Sequence, residues 1–393
     1  MEFKNLKKII RRILKAVKNK EKIILYGDAD LDGASSVIIF KETLRNLGAG
    51  VRLVYFPDRE NEGYGINEKA LNLLKKEVPA LIIAFDCGIG NLKEVKLANK
   101  LGFEVIIIDH HEPLEKLPET PFIIDPKQKG DKYPFKELAT AALAFKISQA
   151  LLINKFSQSL KNNFLELVAL ATLADMMPQT GENIVLIEEG LKSLDSTFRP
   201  GLKAFFEINS LKNLTSSREL VQKIISALNT PSAENHLNHT YLLLTASSLK
   251  EAKLLALGLL KKAQQKQIKT REITERLKEK ISRKLSIEIN NPETGSIIFE
   301  GDPSLPLALA GPVASKICNT YRKPTFIFNH GKKESQGAVR MPGDLNGVKA
   351  LINCKKSLKT YGGHPRAAGF RLESDKLDGF RKCLVDYFKK VAK

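Results

Sequence analysis

The 393-residue chain has no tryptophan and only 8 tyrosines beside 19 phenylalanines. Its core must therefore come mostly from Leu, Ile, Val and Ala. Cysteine is scarce as well: Cys87, Cys318, Cys354 and Cys383 are scattered, with no C-x-x-C pair. That spacing argues against a disulfide framework or a zinc site, and makes a reducing cytoplasm the expected location. No uncharged apolar run reaches the roughly 18–20 residues that a membrane span needs. The N-terminus, MEFKNLKKIIRRILKAVKNK, breaks its apolar run with Arg11 and Arg12 and is not expected to act as a secretory signal. Internal repeats and low-complexity linkers are also missing. What remains is 43% apolar and 27% charged, a globular composition that excludes a disordered or fibrous chain. The length suits two or three domains.

Acid is in short supply. Lys plus Arg is 63 against 44 Asp plus Glu, a surplus of +19. Basic surfaces aid solubility, but a surplus of this size also fits a polyanion partner, most often nucleic acid. Two runs sharpen that reading. Residues 1–22 hold nine Lys/Arg against two Glu, and residues 250–285 hold twelve against four. A membrane surface is disfavoured because no apolar anchor accompanies the charge.

The first third alternates strand and helix. KIILY (22–26), VRLVYF (51–56), ALIIAFD (80–86), EVIIID (104–109) and PFIID (121–125) read as strands. Helices open at Gly33-Ala34-Ser35-Ser36, near 67–77, and at NLKEVKLANKLG (91–102). This alternation predicts an α/β fold with a doubly wound parallel sheet. Residues 140–245 read as mostly helical. Ser248 and Glu251 then make an S-x-x-E capping box, and no proline follows until Asn290-Asn291-Pro292. A continuous helix over this stretch would span on the order of 60 Å; a break near Gly258 is the alternative. Composition then returns to α/β, with strands at GSIIFEG (295–301), PTFIFN (324–329), SQGAVRM (335–341) and AAGFRLE (367–373). A basic amphipathic helix closes the chain.

The carboxylates and histidines fall in telling places. Asp28, Asp30 and Asp32 follow the first strand, Asp86 ends the third, and Asp109-His110-His111 ends the fourth. In an open parallel sheet, ligands bind at the carboxyl ends of the strands. Asp175, in ATLADMMP, comes from a helical stretch, where an unpaired buried carboxylate is costly. Taken singly, each of these is as readily a cap, a turn or a surface residue. Together they form a set that would repel itself and drive its pKa values upward unless cations were present. Mixed imidazole and carboxylate donors suit manganese, with magnesium or zinc as alternatives. Two such ions sharing one carboxylate activate a water and clamp a phosphoryl oxygen. The helix opening at Ser35-Ser36 would add backbone amides for a phosphate. Near the C-terminus, Gly362, Gly363 and His364 offer close backbone approach and a donor, and Arg340 offers a bidentate phosphate contact; the plainer alternative is a glycine turn with a surface histidine.

These residues resemble a known family. D28-A-D-L-D-G33, D86-C-G, D109-H-H111 and A174-D-M-M-P178 are similar to the four motifs of the DHH phosphoesterase superfamily, and GGHPRAAGF to the glycine-rich motif of its DHH-associated C-terminal domain. Within the superfamily, ATLADMMPQTGEN followed by FRPGLKAF, VASK (313–316) and the long helix most resemble the RecJ single-stranded-DNA exonucleases. The resemblance implies a DHH domain over 1–246, a connecting helix over 247–290 and a nucleic-acid-binding domain over 291–393. It implies two divalent cations, manganese before magnesium. Asp28 would serve the first, Asp30 the second, and Asp86 would bridge them. His110 and Asp175 would complete the second site. His111 would meet the scissile phosphate or assist the leaving group, with Asp109 orienting the pair. Arg340, Gly362, Gly363 and His364, together with Ser315, would hold the nucleic-acid end across a cleft that admits one strand.

Some positions depart from the family. Tyr26 stands where some relatives carry a histidine ligand; LNTPSAEN (228–235) replaces an arginine-bearing segment; and EGDPSLPLALAG replaces a Trp-His pair ahead of VASK. The oligonucleotide-binding barrel of larger relatives is expected to be missing. These losses bear on DNA handling more than on metal ligation. The leading expectation is a metal-dependent 5′-to-3′ exonuclease on single-stranded DNA, in repair or recombination, working with single-strand-binding or helicase partners. The alternatives are a phosphodiesterase for short RNA or small nucleotide phosphoesters, and a non-catalytic nucleic-acid scaffold.

Overall fold

A computed structural model describes residues 2–59, 61–212, 216–230, 233–288 and 296–391. The chain divides into two compact units, Met1–Ala263 and Gln264–Lys393. In the first, α1 (Leu6–Lys18), β1 (Ile23–Gly27), α2 (Leu31–Asn46), β2 (Leu53–Tyr55), α3 (Glu68–Leu74), β3 (Ala80–Phe85), α4 (Leu92–Leu101), β4 (Phe103–Ile108) and β5 (Ile123–Ile124) follow in order. All strand pairs are parallel, in the order β2-β1-β3-β4-β5. Both faces are covered, which is why β1, β3 and β4 read as near-continuous apolar runs. Ile23, Leu25, Leu81 and Ile83 join the core under α1 and α2, while Ile24, Tyr26, Ile82 and Ala84 join the core on the side of α3 and α4. The strand order reverses between β1 and β3, and such a switch point opens a crevice at the carboxyl ends of the strands.

The rest of the unit is mainly helical: α5 (Thr140–Leu152), α6 (Gln158–Ala174), α7 (Glu182–Leu194), α8 (Pro200–Glu207), α9 (Asn209–Lys212), α10 (Ser217–Leu228), a short antiparallel pair β6 (Ala233–Glu234) and β7 (Leu237–Asn238), and α11 (His239–Leu244). Next comes α12 (Leu249–Glu288), 40 residues without a break at Gly258. Its cap is a variant of the expected box. Ser248 Oγ accepts from Glu251 N (3.3 Å), but the Glu251 carboxylate reaches back to Ser247 N and Oγ, not to Ser248. The unit border falls inside α12. Ala252, Ala256 and Leu259 belong to the first unit's core, and Ile273, Leu277 and Ile281 to the second's. The expected stop at Asn290-Asn291-Pro292 lies outside the described residues, as do Pro231 and Ser232 of LNTPSAEN.

The second unit is a mixed sheet: β8 (Ile298–Gly301), β9 (Thr325–His330), β10 (Glu334–Arg340), β11 (Thr360–His364) and β12 (Ala367–Glu373), in the order β11-β12-β10-β9-β8. Only β8 and β9 pair in parallel. Helix α13 (Leu307–Tyr321) packs with the second half of α12 in one core, and α14 (Gly347–Asn353) and α15 (Leu377–Val391) complete the other. Gly362, Gly363 and His364 lie within β11, and the turn is Pro365-Arg366 after them, so the alternative of a glycine turn does not apply. One expectation is overturned. Cys354 and Cys383 form a disulfide with their Cα atoms 5.9 Å apart, where independent thiols were expected. The packing of α14 against α15 brings these positions together, and a separation of 29 residues carries no motif. Among the described residues, no helix is long and apolar enough to cross a membrane.

Two glycines test the helical packing. A Cβ at Gly190 would lie 2.2 Å from Leu165 O across the α6–α7 interface, whereas one at Gly258 meets nothing within 4 Å. Gly190→Ala should lower stability by about 1–3 kcal/mol through overpacking. Gly258→Ala should raise it by about 0.5–1 kcal/mol through helix propensity. Urea midpoints check both, and a destabilising Gly258→Ala would contradict an unbroken α12.

Candidate metal centre

The site begins with strand register. Gly27 pairs with Phe85, Phe85 with Ile108, and Ile108 with Ile124. Asp28, Asp86, Asp109 and Asp125 each stand one residue beyond that row. The ladder continues through them: Asp28 N bonds Phe85 O, Asp86 N bonds Ile108 O, and Asp109 N bonds Ile124 O. Four carboxylates thus sit side by side on strands roughly 4.8 Å apart. Asp86 takes a left-handed φ of 59°, a conformation that aspartate tolerates better than most residues. Gly33 is required because a Cβ there would lie 2.3 Å from Asp28 O. Its lack of a side chain lets the start of α2 rest on the Asp28 backbone.

The spacing D-x-D-x-D divides three roles. Asp28 faces the crevice. Asp30 caps α2, its Oδ1 accepting from Asp32 N and Gly33 N (3.1 Å each). Asp32 is buried and accepts from Thr140 N and Ala141 N (2.8 Å each), so it caps α5, whose own N-cap residue, Ala139, offers no side-chain acceptor. Thr140 Oγ1 in turn donates to Asp86 Oδ1 (3.2 Å). Asp175 ends α6 and reaches the same place. The donor atoms of Asp28, Asp30 and Asp86 lie within 4.8 Å of one another, as do those of Asp32, His110 and Asp175. Asp86 touches both groups, its Oδ1 lying 3.2 Å from His110 Nε2. Asp30 is therefore grouped with Asp28, while Asp32 stands where the sequence reading put Asp30.

The donor chemistry fits divalent cations. His110 Nδ1 is 2.9 Å from Leu138 O, which can only accept, so the ring hydrogen sits on Nδ1. The Nε2 lone pair then faces Asp86 at 3.2 Å, Asp175 at 3.5 Å and Asp32 at 3.7 Å. Burial pushes His110 well below its ordinary pKa, so the ring is neutral. Burial and mutual repulsion push Asp86 and Asp32 well above theirs. Asp175 is pushed up to about 7 by desolvation and then by Asp30. An acceptor-only convergence of this kind calls for a cation or a proton between its members. Arg59 already answers part of that call, with Nε on Asp28 (3.0 Å) and Nη2 on Asp28 and Asp30.

His111 differs from its neighbour. Burial lowers its pKa, but Asp109 outweighs burial and raises it, with Oδ1 2.7 Å from Nδ1. Asp109 is opposed by burial yet held well below the usual carboxylate range by His111 and by the backbone N–H of Ile89. Tyr64 Oη donates to Asp86 O (2.7 Å) and lies 3.2 Å from the His111 ring. Tyr26 supplies nothing to the site; its hydroxyl donates to Gly65 O.

Other predicted residues fall as follows. Ser35 is fully buried one turn into α2, and the Asp32 and Gly33 amides at the helix start are taken by Asp30, which corrects the phosphate-cradle reading. In the second unit, Arg340 Nε donates to Ser315 Oγ (2.9 Å). Arg340 and His364 both stand opposite Ala367, so they share one row of the sheet. Gly363 has φ 131°, and a Cβ there would meet Ala367 O at 2.5 Å. Arg59, Tyr64, Thr140 and Asp125 were missed. Asp125 ends β5, and burial followed by Asp109 pushes it up to about 8.

Residues 22–172 match the DHH family, N-terminal domain. Over nearly its whole length the chain is similar to RecJ exonucleases. It is 33% identical over 388 residues to the single-stranded-DNA-specific exonuclease RecJ of Bacillus subtilis, covering 98% of this chain and 48% of that one. The structure of an exonuclease RecJ bound to manganese matches with a TM-score of 0.74 at 25% identity, covering 99% of this chain and 95% of that one. RecJ from Thermus thermophilus in complex with Mn2+ shares the fold, with a TM-score of 0.79 at 24% identity over 99% of this chain and 55% of that one. The chain thus spans about half the length of the Bacillus relative.

Proton competition gives a test. Asp175 with a pKa of about 7 keeps its proton below neutrality, and a metal must displace that proton. Affinity should therefore rise with pH. Between pH 6 and 8 the deprotonated fraction, and with it Mn2+ affinity, should rise roughly tenfold. Calorimetric titration of the metal-free protein measures this, and an affinity independent of pH would contradict the assignment.

Proposed function

We propose that this protein is a metal-dependent exonuclease that hydrolyses single-stranded DNA from the 5′ end, in repair or recombination in the cytoplasm. The observation that carries the proposal is the convergence of Asp28, Asp30, Asp86, His110 and Asp175 at one sheet edge. Substrate and polarity rest on the likeness to RecJ over nearly the whole chain. The surplus of +19 supports a polyanionic substrate.

In this reading Asp28, Asp30, Asp86, His110 and Asp175 would hold two divalent cations, manganese or magnesium, Asp86 standing next to both groups of donors. Asp32 braces the set by tying α5 to the start of α2. When bound, the pair supplies an activated water and Lewis-acid stabilisation of a phosphoryl oxygen. Neutral His110 serves as a ligand through Nε2, its orientation fixed by Leu138 O. His111, whose pKa Asp109 raises, meets the scissile phosphate and in its protonated form can give a proton to the leaving oxygen. In residues 291–393, Ser315, Arg340, Gly362, Gly363 and His364 bind the phosphates of the strand end. Arg340 is held for this by Ser315, and the backbone at Gly362, where a Cβ would meet nothing within 4 Å, is open to close approach.

End-labelled strands test the proposal. Asp86→Ala should reduce hydrolysis by about three orders of magnitude, equivalent to ~4 kcal/mol of transition-state stabilisation, with the circular dichroism spectrum unchanged. The wild type should release labelled mononucleotide first from the 5′ end. Undiminished activity in the variant would overturn the metal mechanism, release from the 3′ end would overturn the polarity, and faster turnover of short RNA would overturn the substrate.

A further inference from the structure

We propose that the first unit carries a second ligand site, at the far end of α2 from the carboxylates, and that it binds a nucleoside monophosphate. A cavity of about 330 Å³ opens there, lined by Lys41, Glu42 and Arg45 of α2, Asn163 of α6, and Phe198 and Arg199 of the loop entering α8. Arg45 lies fourteen residues beyond Leu31, which at ~1.5 Å per residue is about 20 Å along the helix from its start at Asp30. The cavity therefore shares no side chain with the metal centre.

Its walls are rigid. Arg199 is only 6% exposed and grips the Glu42 carboxylate with Nη1 (2.8 Å) and Nη2 (3.1 Å). On the other side of Phe198, Thr197 Oγ1 donates to Glu166 Oε2 (2.6 Å) and accepts from Arg199 N (3.2 Å). Phe198 is pinned between these two anchors, yet 66% of it is exposed. An apolar ring kept in water on an immobile loop costs free energy, and it offers a flat surface on which a base can stack.

The polar groups call for a particular partner. Arg199 Nε–H is buried without an acceptor, and Asn163 Oδ1 is buried without a donor, among the described residues. Arg45 is exposed and makes no ion pair among the described residues. Lys41 spends one N–H on Tyr241 Oη (2.5 Å). Three cations against one carboxylate leave the cavity with a surplus of two positive charges. A phosphate monoester carries about −1.5 to −2 at neutral pH, which matches. The volume sits at the small end of the roughly 300–1,000 Å³ range of small-molecule sites, room for one nucleotide and not for a strand.

Calorimetric titration in EDTA tests this, with deoxyadenosine 5′-monophosphate as the probe and deoxyadenosine, inorganic phosphate and a thymidine oligonucleotide in parallel. One equivalent of the monophosphate should bind, more tightly than the nucleoside or phosphate alone. Arg45→Glu and Phe198→Ala, both at exposed positions, should each weaken it at least tenfold. Binding should survive Asp86→Ala, which separates this site from the metal centre and from the nuclease reading. Absence of binding, phosphate binding as tightly as the nucleotide, displacement of the bound nucleotide by the oligonucleotide, indifference to either variant, or loss of binding in Asp86→Ala would each overturn the proposal.

Discussion

The first unit is organised around a concentration of negative charge that its own cations do not neutralise. Asp28, Asp86, Asp109 and Asp125 form a row because the strand register leaves no alternative, and Asp30, Asp32 and Asp175 are added from helix ends. Among the described residues Arg59, Lys127 and His111 face them. Such a cluster is costly when metal-free and becomes favourable when divalent cations enter. The sheet edge is therefore a place where folding stores repulsion that binding releases.

The frame that holds the cluster is itself polar. Asp32 caps α5 from the start of α2, Thr140 at that cap reaches Asp86, and Leu138 just before it fixes His110. Segments far apart in sequence are thus locked by buried hydrogen bonds, each worth little alone but costly to break. Position is set this way to fractions of an ångström, which ligand geometry demands. His110 and His111 are chemically alike and adjacent in sequence. One faces carboxylates through a lone pair and stays neutral, while the other faces Asp109 through Nδ1, which raises its pKa.

Much of this was legible in the sequence. The apolar strands announced a doubly wound sheet because parallel strands are covered on both faces, and the carboxylates at their ends announced the site. The 40-residue α12 followed from an S-x-x-E cap and the lack of proline. Arg59 and Tyr64 escaped because they sit in the loop after β2, where no periodicity marks a contact. Asp125 ends PFIID, which reads as a strand, but it was not grouped with the other strand-end carboxylates. Asp32 was visible but was not read as a cap for a helix a hundred residues away. Ser35 misled because the start of α2 was placed two residues late, which buries the hydroxyl. The glycine pair signals close backbone approach in the sequence, and in the fold Gly363 uses that closeness against β12. The Cys354–Cys383 bridge had no sequence signature at all.

The metal mechanism stands on this sheet edge holding two cations with Asp86 between them. An anomalous difference map from manganese-soaked crystals, collected at the manganese edge, would locate the ions without reference to activity. Two peaks roughly 3.5–4 Å apart are expected, one beside Asp28 and the other beside His110 and Asp175, with Asp86 touching both. A single peak, or peaks away from Asp86, would contradict it.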